Sequence, residues 1–285
     1  MNAIETEQER SASEPSSYQV VRQNFATTIV ASIATLGRAV ITGADTIRVG
    51  AGDLVRLRFQ WRETVHQAWY LVGVTALPAI LMAIPFGVIV SVQVGNLIHN
   101  LGADALVGAA GGLGVIRQGA PLATGLLLGG AGAAAIAADL GARTIREEID
   151  ALRTMGIDPV ARLLVPRAAA MIVVAPLLNV LIIFVGVTAG YLIATGAQNV
   201  TPGSYWSTFG SFTVVTDVWV SLGKAVLFGF LVVIISCQRG LEAKGGPRGV
   251  ADGVNAAVVL SVVTLILVNV LVTQLVTMFL PTRVA

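Results

Sequence analysis

Four long stretches of the chain contain no Asp, Glu, Lys or Arg: Thr64–Ala103, Gln118–Ala138, Ala168–Thr216 and Gly253–Thr282. Each reaches or exceeds the roughly 20 apolar residues that carry an α-helix across a bilayer core. The rest cannot dress a water-facing surface, because charged residues make up only 12% of the 285 residues, against about 25% in ordinary globular domains. The pattern predicts an all-α polytopic membrane protein.

Other classes are excluded by the same counts. A net charge of +2, with basic residues spread over short loops, does not make a nucleic-acid surface. The single cysteine, Cys237, can form neither an intrachain disulfide nor a Cys-based metal site. It ends an apolar run and reads as a small buried residue. Residues 1–18 are polar and acidic, without the apolar core of a cleavable signal peptide, so the first span is expected to direct insertion.

Residues 1–18 read as a disordered tail. Residues 19–62 form an amphipathic segment, in which Ile29, Ile33, Leu36 and Val40 recur at helical spacing. Ile47, Leu54 and Leu57 follow among Asp45, Arg48, Asp53, Arg56 and Arg58. Too polar to span, this segment suits a helix lying in the headgroup plane or packed on the protein's own cytoplasmic side. Residues 63–285 carry five spans, at about 69–94, 103–138, 168–195, 218–236 and 254–280. Trp69 and Tyr70 open the first as an interfacial anchor, and Pro78 and Pro85 are expected to kink it. The second is unusually long, and Arg117-Gln118-Gly119-Ala120-Pro121 predicts a break near 117–121.

Orientation follows from Lys and Arg. Seven precede the first span, five (Arg143, Arg146, Arg153, Arg162, Arg167) join the second and third, and three (Arg239, Lys244, Arg248) join the fourth and fifth. The connections at the other end carry none. The positive-inside rule then places the N-terminus in the cytoplasm and the C-terminus outside.

One charged connection is patterned. In Arg143–Pro159, Thr144 and Glu147 have capping-box spacing, and Ile145, Ile149, Leu152 and Met155 form one apolar stripe. Gly156 is placed as the stop, and Pro159 prevents continuation. This predicts a short amphipathic cytoplasmic helix over 144–156, with Arg146, Glu147, Glu148, Asp150 and Arg153 on its other face. Such a helix either lies on the membrane with its charges solvated or docks into a groove of a cytoplasmic protein.

The run EEIDALRTMGIDPV (147–160), followed by LLVPR (163–167) and preceded by IRQGAPLATGLLLGGAGAAAIAADLGAR (116–143), resembles the signature of the MlaE/YrbE permease family. These are the membrane subunits of Mce-associated ABC transporters that move lipids. The resemblance is strong over residues 103–170 and consistent elsewhere. It implies that the 144–156 helix is a coupling helix seated in the ATP-hydrolysing subunit. Ile149, Leu152 and Met155 would be its anchors, and Ile145, Arg146, Glu147, Glu148, Asp150, Arg153 and Gly156 the rest of the element. It further implies a second permease, identical or related, Mce proteins on the outer side and a lipid cargo. ATP and Mg would be held by the partner ATPase and no cofactor by this chain. The location implied is the bacterial inner membrane, and the direction is import. The chain departs from the pattern at Arg117-Gln118, where many members have Arg-Glu, and at Gly129-Gly130-Ala131-Gly132, where many carry a basic residue. Both departures resemble actinobacterial YrbE proteins, which occur as non-identical pairs.

No phosphate-binding G-x-x-x-x-G-K-[ST] loop, H-E-x-x-H or G-x-S-x-G motif is present, so no catalytic residue and no metal ligand is assigned. His66 and His99 fall outside the bilayer centre on opposite sides. Arg117 and Gln118 are candidates for meeting a lipid headgroup or an outer partner, with a structural cap of free carbonyls as the other reading of Arg117. Asn179 is a candidate path residue, although it and Asn269 are better placed to bond across helices. Lys224 is expected to snorkel outward, and Asp139 to be interfacial. The pairs Gly108/Gly112, Gly125/Gly129 and Gly186/Gly190 are small-residue faces for close helix packing, within the chain or between permeases. The function expected is that of the permease subunit of a lipid-transporting ABC system, and the alternative is a membrane scaffold that recruits a cytoplasmic partner.

Overall fold

A chain in lipid must satisfy its backbone N–H and C=O groups internally, and helices do this segment by segment. The computed structural model describes residues 37–53, 55, 59–102 and 106–279, all side chains but that of His99 included, in two units, Met1–Ala44 and Asp45–Ala285. Expectations for residues 1–36, for Leu54, Arg56, Leu57 and Arg58, for the first residues of the second span (103–105) and for the end of the fifth lie outside the described residues. In the smaller unit, residues 37–44 are helical, with Val40 and Ile41 exposed.

The described residues of the larger unit are mostly helical, joined by short turns. Residues 45–53 are helical; Thr46 is buried and Gly50 faces Val165, whereas Ile47 is exposed. Then come α1 (Trp61–Asn100), α2 (Val107–Ile145), α3 (Glu148–Thr154), α4 (Val160–Gly196), α5 (Pro202–Phe212), α6 (Val215–Leu241) and α7 (Pro247–Phe279). The helices α1, α2, α4, α6 and α7 are long and apolar enough to cross a membrane. They contain the five expected spans, apart from residues 103–106 of the second and residue 280 of the fifth. α2 is the most buried, and α1 and α7 are the least, so α2 is the central post. It packs on α6 and α7, while α1 packs on α4 and α4 on α6. The exposed faces of α1 and α7 are apolar, as in Leu77, Leu81, Val263 and Leu267, which suits lipid. Cys237 is buried, as its position predicts.

Glycines set the closest approaches. A Cβ on Gly87 would fall on the backbone carbonyl of Gly186, and one on Gly190 would strike Ser91 Oγ, so α1 and α4 meet nearly backbone to backbone. Gly108 and Gly112 face Tyr205 and Phe209 of α5, and Gly125 and Gly129 face Phe228 and Leu265. All three small-residue pairs are used within this chain.

Two sequence expectations are corrected. The second span is not broken near 117–121. α2 continues through π turns at Val115–Gly119 and Leu128–Gly132, with Ala120 N–H bonding back to Val115 O and Ala133 N–H to Leu128 O. A π turn inserts one residue without ending the helix, and Pro121 then sits at the start of the next α segment. The prolines of α1 likewise lie inside one unbroken helix.

The short helix begins later than expected. The Thr144 hydroxyl donates to Leu140 O at 2.9 Å and lies 3.2 Å from Gly240 O, so it is engaged with its own helix and α6 rather than forming a capping box. α2 therefore runs on through Ile145, and the chain reverses at Glu147, whose φ of 60° is left-handed. The helix that follows is Glu148–Thr154. Its end matches expectation: Gly156 has φ 74°, its N–H bonds to Arg153 O at 3.0 Å, and Ile157 N–H bonds to Leu152 O at 3.0 Å. That pair of bonds is a Schellman motif.

Candidate functional site

Two groups of side chains stand out, at opposite ends of the spans. The first is the loop between α2 and α4, at the end of the bundle where the basic connections gather. Its apolar stripe is divided in two. Ile149 is 4% exposed and belongs to the chain's own core, Leu152 is half-buried, and Met155 is 64% exposed. Ile157, which the sequence reading did not single out, is 41% exposed beside it. Burying Ile149 is worth about 2 kcal/mol and holds α3 against the bundle, so Ile149 is unavailable as an anchor in a partner. Ile145 lies in the last turn of α2 rather than in α3. The outward apolar surface is Met155 and Ile157.

Three arginines of this loop are ion-paired. Arg153 bonds Asp150 at 3.1 Å, Arg146 bonds Glu148 at 3.0 Å, and Arg143 bridges Asp139 at 3.1 Å and Glu148 at 3.6 Å. Glu147 occupies the left-handed elbow and Gly156 the C-terminal stop. Asp139 also accepts from Arg167, which is 2% exposed. Arg162 reaches back to Gln60 Oε1 at 2.8 Å.

The second group lies toward the other end, where Arg117 stands about ten residues, roughly 15 Å, inside α2. Arg117 donates from Nε to Asp217 Oδ1 at 2.9 Å and from Nη2 to Asp217 Oδ2 at 3.0 Å. This two-pronged pair occupies Nε and Nη2 with a carboxylate, so the side chain is not the carbonyl cap that was one reading of it. The cap is Lys224. It does not snorkel outward; it is 4% exposed, and its Nζ donates to Arg117 O at 3.3 Å and Thr273 Oγ1 at 2.9 Å. Pro121 has no N–H to offer the carbonyl four residues before it, which is that of Arg117. A buried ammonium needs acceptors, and a proline-orphaned carbonyl needs a donor.

Gln118 is exposed, with its amide 3.5 Å from Thr273 Oγ1. Asn179 is fully buried; it donates to Ser221 Oγ at 2.8 Å and faces the Thr124 hydroxyl at 3.3 Å, joining α4, α6 and α2. Asn269 Oδ1 is buried with no protein partner among the described residues. The structure thus brings Arg117, Gln118 and Lys224 together and places Asn179 in a separate helix-crossing node. Sequence reasoning missed Asp217 as the partner of Arg117. The available signal was that Asp217 is the acid that ends the uncharged stretch Ala168–Thr216, close in level to Arg117.

Beyond this layer, α5 closes the end of the bundle. Thr201 caps it by accepting from Ser204 N–H at 3.4 Å, and Tyr205 is buried against Val107, Ala194 and Val200. Burial pushes the Tyr205 phenol up to about 12.

Residues 64–275 match the family described as Permease MlaE. A probable ABC transporter permease protein of Synechocystis sp. is 32% identical over 203 residues, which cover 71% of this chain and 77% of that protein. A probable ABC transporter permease protein of Rickettsia typhi is 31% identical, over 66% of this chain and 73% of its own. The intermembrane phospholipid transport system permease protein MlaE of Haemophilus influenzae is 28% identical, over 67% of this chain and 74% of its own.

Proposed function

Because the chain belongs to the MlaE permease family, we propose that it is the membrane subunit of a lipid-moving ABC transporter whose ATPase docks on α3. The observation that carries the docking reading is the exposed pair Met155 and Ile157 at the tip of a short, ion-paired helix on the basic end of the bundle. An apolar tip with a charged rim is the surface a groove on a cytoplasmic protein recognises. Leu152, half-buried, and the charges of Asp150 and Arg153 complete it. ATP and Mg are held by the partner, a reading that the lack of a phosphate-binding loop in this sequence supports.

On this reading the basic end is cytoplasmic, and the membrane is the bacterial inner membrane, with the N-terminus inside and the C-terminus outside. The cargo is a phospholipid or related amphiphile, as the name of the Haemophilus relative suggests. Its headgroup meets Arg117 and the exposed Gln118, whereas Asn179, fully buried, holds the helices rather than the cargo. A second permease chain, identical or related, completes the membrane part. Outer-side Mce proteins receive or deliver the lipid, and the direction is import.

The test is co-purification. Met155→Asp combined with Ile157→Asp is expected to weaken ATPase binding about a hundredfold, the cost of losing two apolar anchors, while the chain still inserts and purifies. An ATPase that co-purifies undiminished refutes the docking reading.

A further inference from the structure

Charge alternates along a row that starts on the docking loop and ends inside the bundle. Arg146 pairs with Glu148, Glu148 with Arg143, Arg143 with Asp139, and Asp139 with Arg167. Side-chain exposure falls along the row, from 63% at Arg146 through 41% at Glu148 and 34% at Arg143 to 2% at Arg167. The other amino group of Arg167, Nη1, donates to Leu163 O at 2.7 Å. Leu163 lies in the π turn Val160–Leu164 that opens α4.

Arg167, itself in the first turns of α4, therefore ties that leg of the loop to the end of α2 through Asp139, while its bond to Leu163 O one turn back fixes the guanidinium along its own helix. Between the legs the backbone reverses at two left-handed residues, Glu147 and Gly156, and the non-glycine one is strained. A loop with a reversal at each end of its helix would absorb a push by bending there. The buried guanidinium opposes that. Releasing Asp139 would leave an uncompensated charge in a low-dielectric site, which is far costlier than opening an exposed pair such as Arg153–Asp150.

We propose that Arg167 is a positioning residue that makes the docking helix move as one body with α2 and α4, so that a push on α3 enters the spans instead of being lost in the loop. Being 2% exposed, it touches neither a docked protein nor the cargo. The inference rests on the docking reading above.

The test uses the complete transporter with its ATPase, reconstituted in vesicles holding a fluorescent phosphatidylethanolamine. Arg167→Met is expected to leave the ATPase bound and ATP hydrolysis within about twofold, and to lower lipid moved per ATP about tenfold. Arg167→Lys keeps the charge beside Asp139 but cannot hold both partners, and is expected to restore part of the ratio. Arg143→Ala cuts the row at a partly exposed position, is expected to fold normally, and should lower the ratio in the same direction. Nitroxides on Ala151→Cys and Val173→Cys in a Cys237→Ser background report the spacing of the docking helix and α4. That distance distribution is expected to be narrow with Arg167 and broad with Arg167→Met. Lipid moved per ATP that stays unchanged in Arg167→Met, or in Arg143→Ala should the first variant fail to fold, overturns the inference. So does loss of bound ATPase from Arg167→Met, which would make the residue part of the dock. Failure of the unsubstituted chain to bind an ATPase overturns the docking reading and the inference together.

Discussion

Lys224 Nζ donates to the backbone carbonyl of Arg117 at 3.3 Å, so a buried ammonium on α6 serves the acceptor that a proline on α2 leaves without its helical partner. This explains how the central helix carries Pro121 without breaking, and why a lysine stays inside the bundle. It also makes the layer around Arg117 interdependent: α2, α6 and α7 meet there through Arg117, Asp217, Lys224, Gln118 and Thr273.

Lys224→Met should therefore lower stability by about 1–3 kcal/mol, the cost of unsatisfied buried polar groups. Pro121→Ala restores the missing N–H, and in that background the same substitution should cost about 1 kcal/mol less. Thermal unfolding of the four proteins in one detergent measures the coupling. Strictly additive effects would mean that Lys224 does not cap Arg117 O.

Asp217→Asn leaves the Arg117 guanidinium with a weaker, neutral partner and should cost about 1–3 kcal/mol. The exchange Arg117→Asp with Asp217→Arg should recover at least half of that, because the two-pronged geometry can be rebuilt with its ends reversed. The yield and midpoint of the purified proteins decide this. A double variant as damaged as the singles would show that position, not pairing, governs the site.

Gly87→Ala places a methyl on the Gly186 carbonyl, backbone against backbone, where no side chain can yield. It should destabilise the α1–α4 contact by about 1–3 kcal/mol. Gly73→Ala, in the same helix but facing open space, should fall within about 0.5 kcal/mol of the unsubstituted chain. Equal midpoints for the two variants would remove the close-approach account.

The spans were legible because charge is scarce in them, with Arg117 and Lys224 the interior exceptions in the second and fourth, and that signal does not depend on tertiary context. The helix ends were less so. Thr144 and Glu147 have capping-box spacing, yet the hydroxyl of Thr144 is taken by Leu140 O and approached by Gly240 O, an acceptor 96 positions away in sequence. Arg117, Asp217 and Lys224 could each be seen as charges near a span, but their pairing spans 100 and 107 positions and depends on how α2 and α6 pack. Ile149 and Met155 share one stripe in sequence, and only the fold turns one inward and leaves the other out. Periodicity names the face of a helix without saying whether the chain itself or a partner covers it.

On the function proposed above, this chain moves lipid under the control of an ATPase docked on Glu148–Thr154. The most direct measurement is transfer of a fluorescent phospholipid in vesicles that contain the chain, its partner permease and the ATPase, with and without ATP. The account predicts ATP-dependent transfer that Met155→Asp with Ile157→Asp abolishes. An ATPase that binds normally while no transfer depends on ATP would contradict it and leave a membrane scaffold in its place.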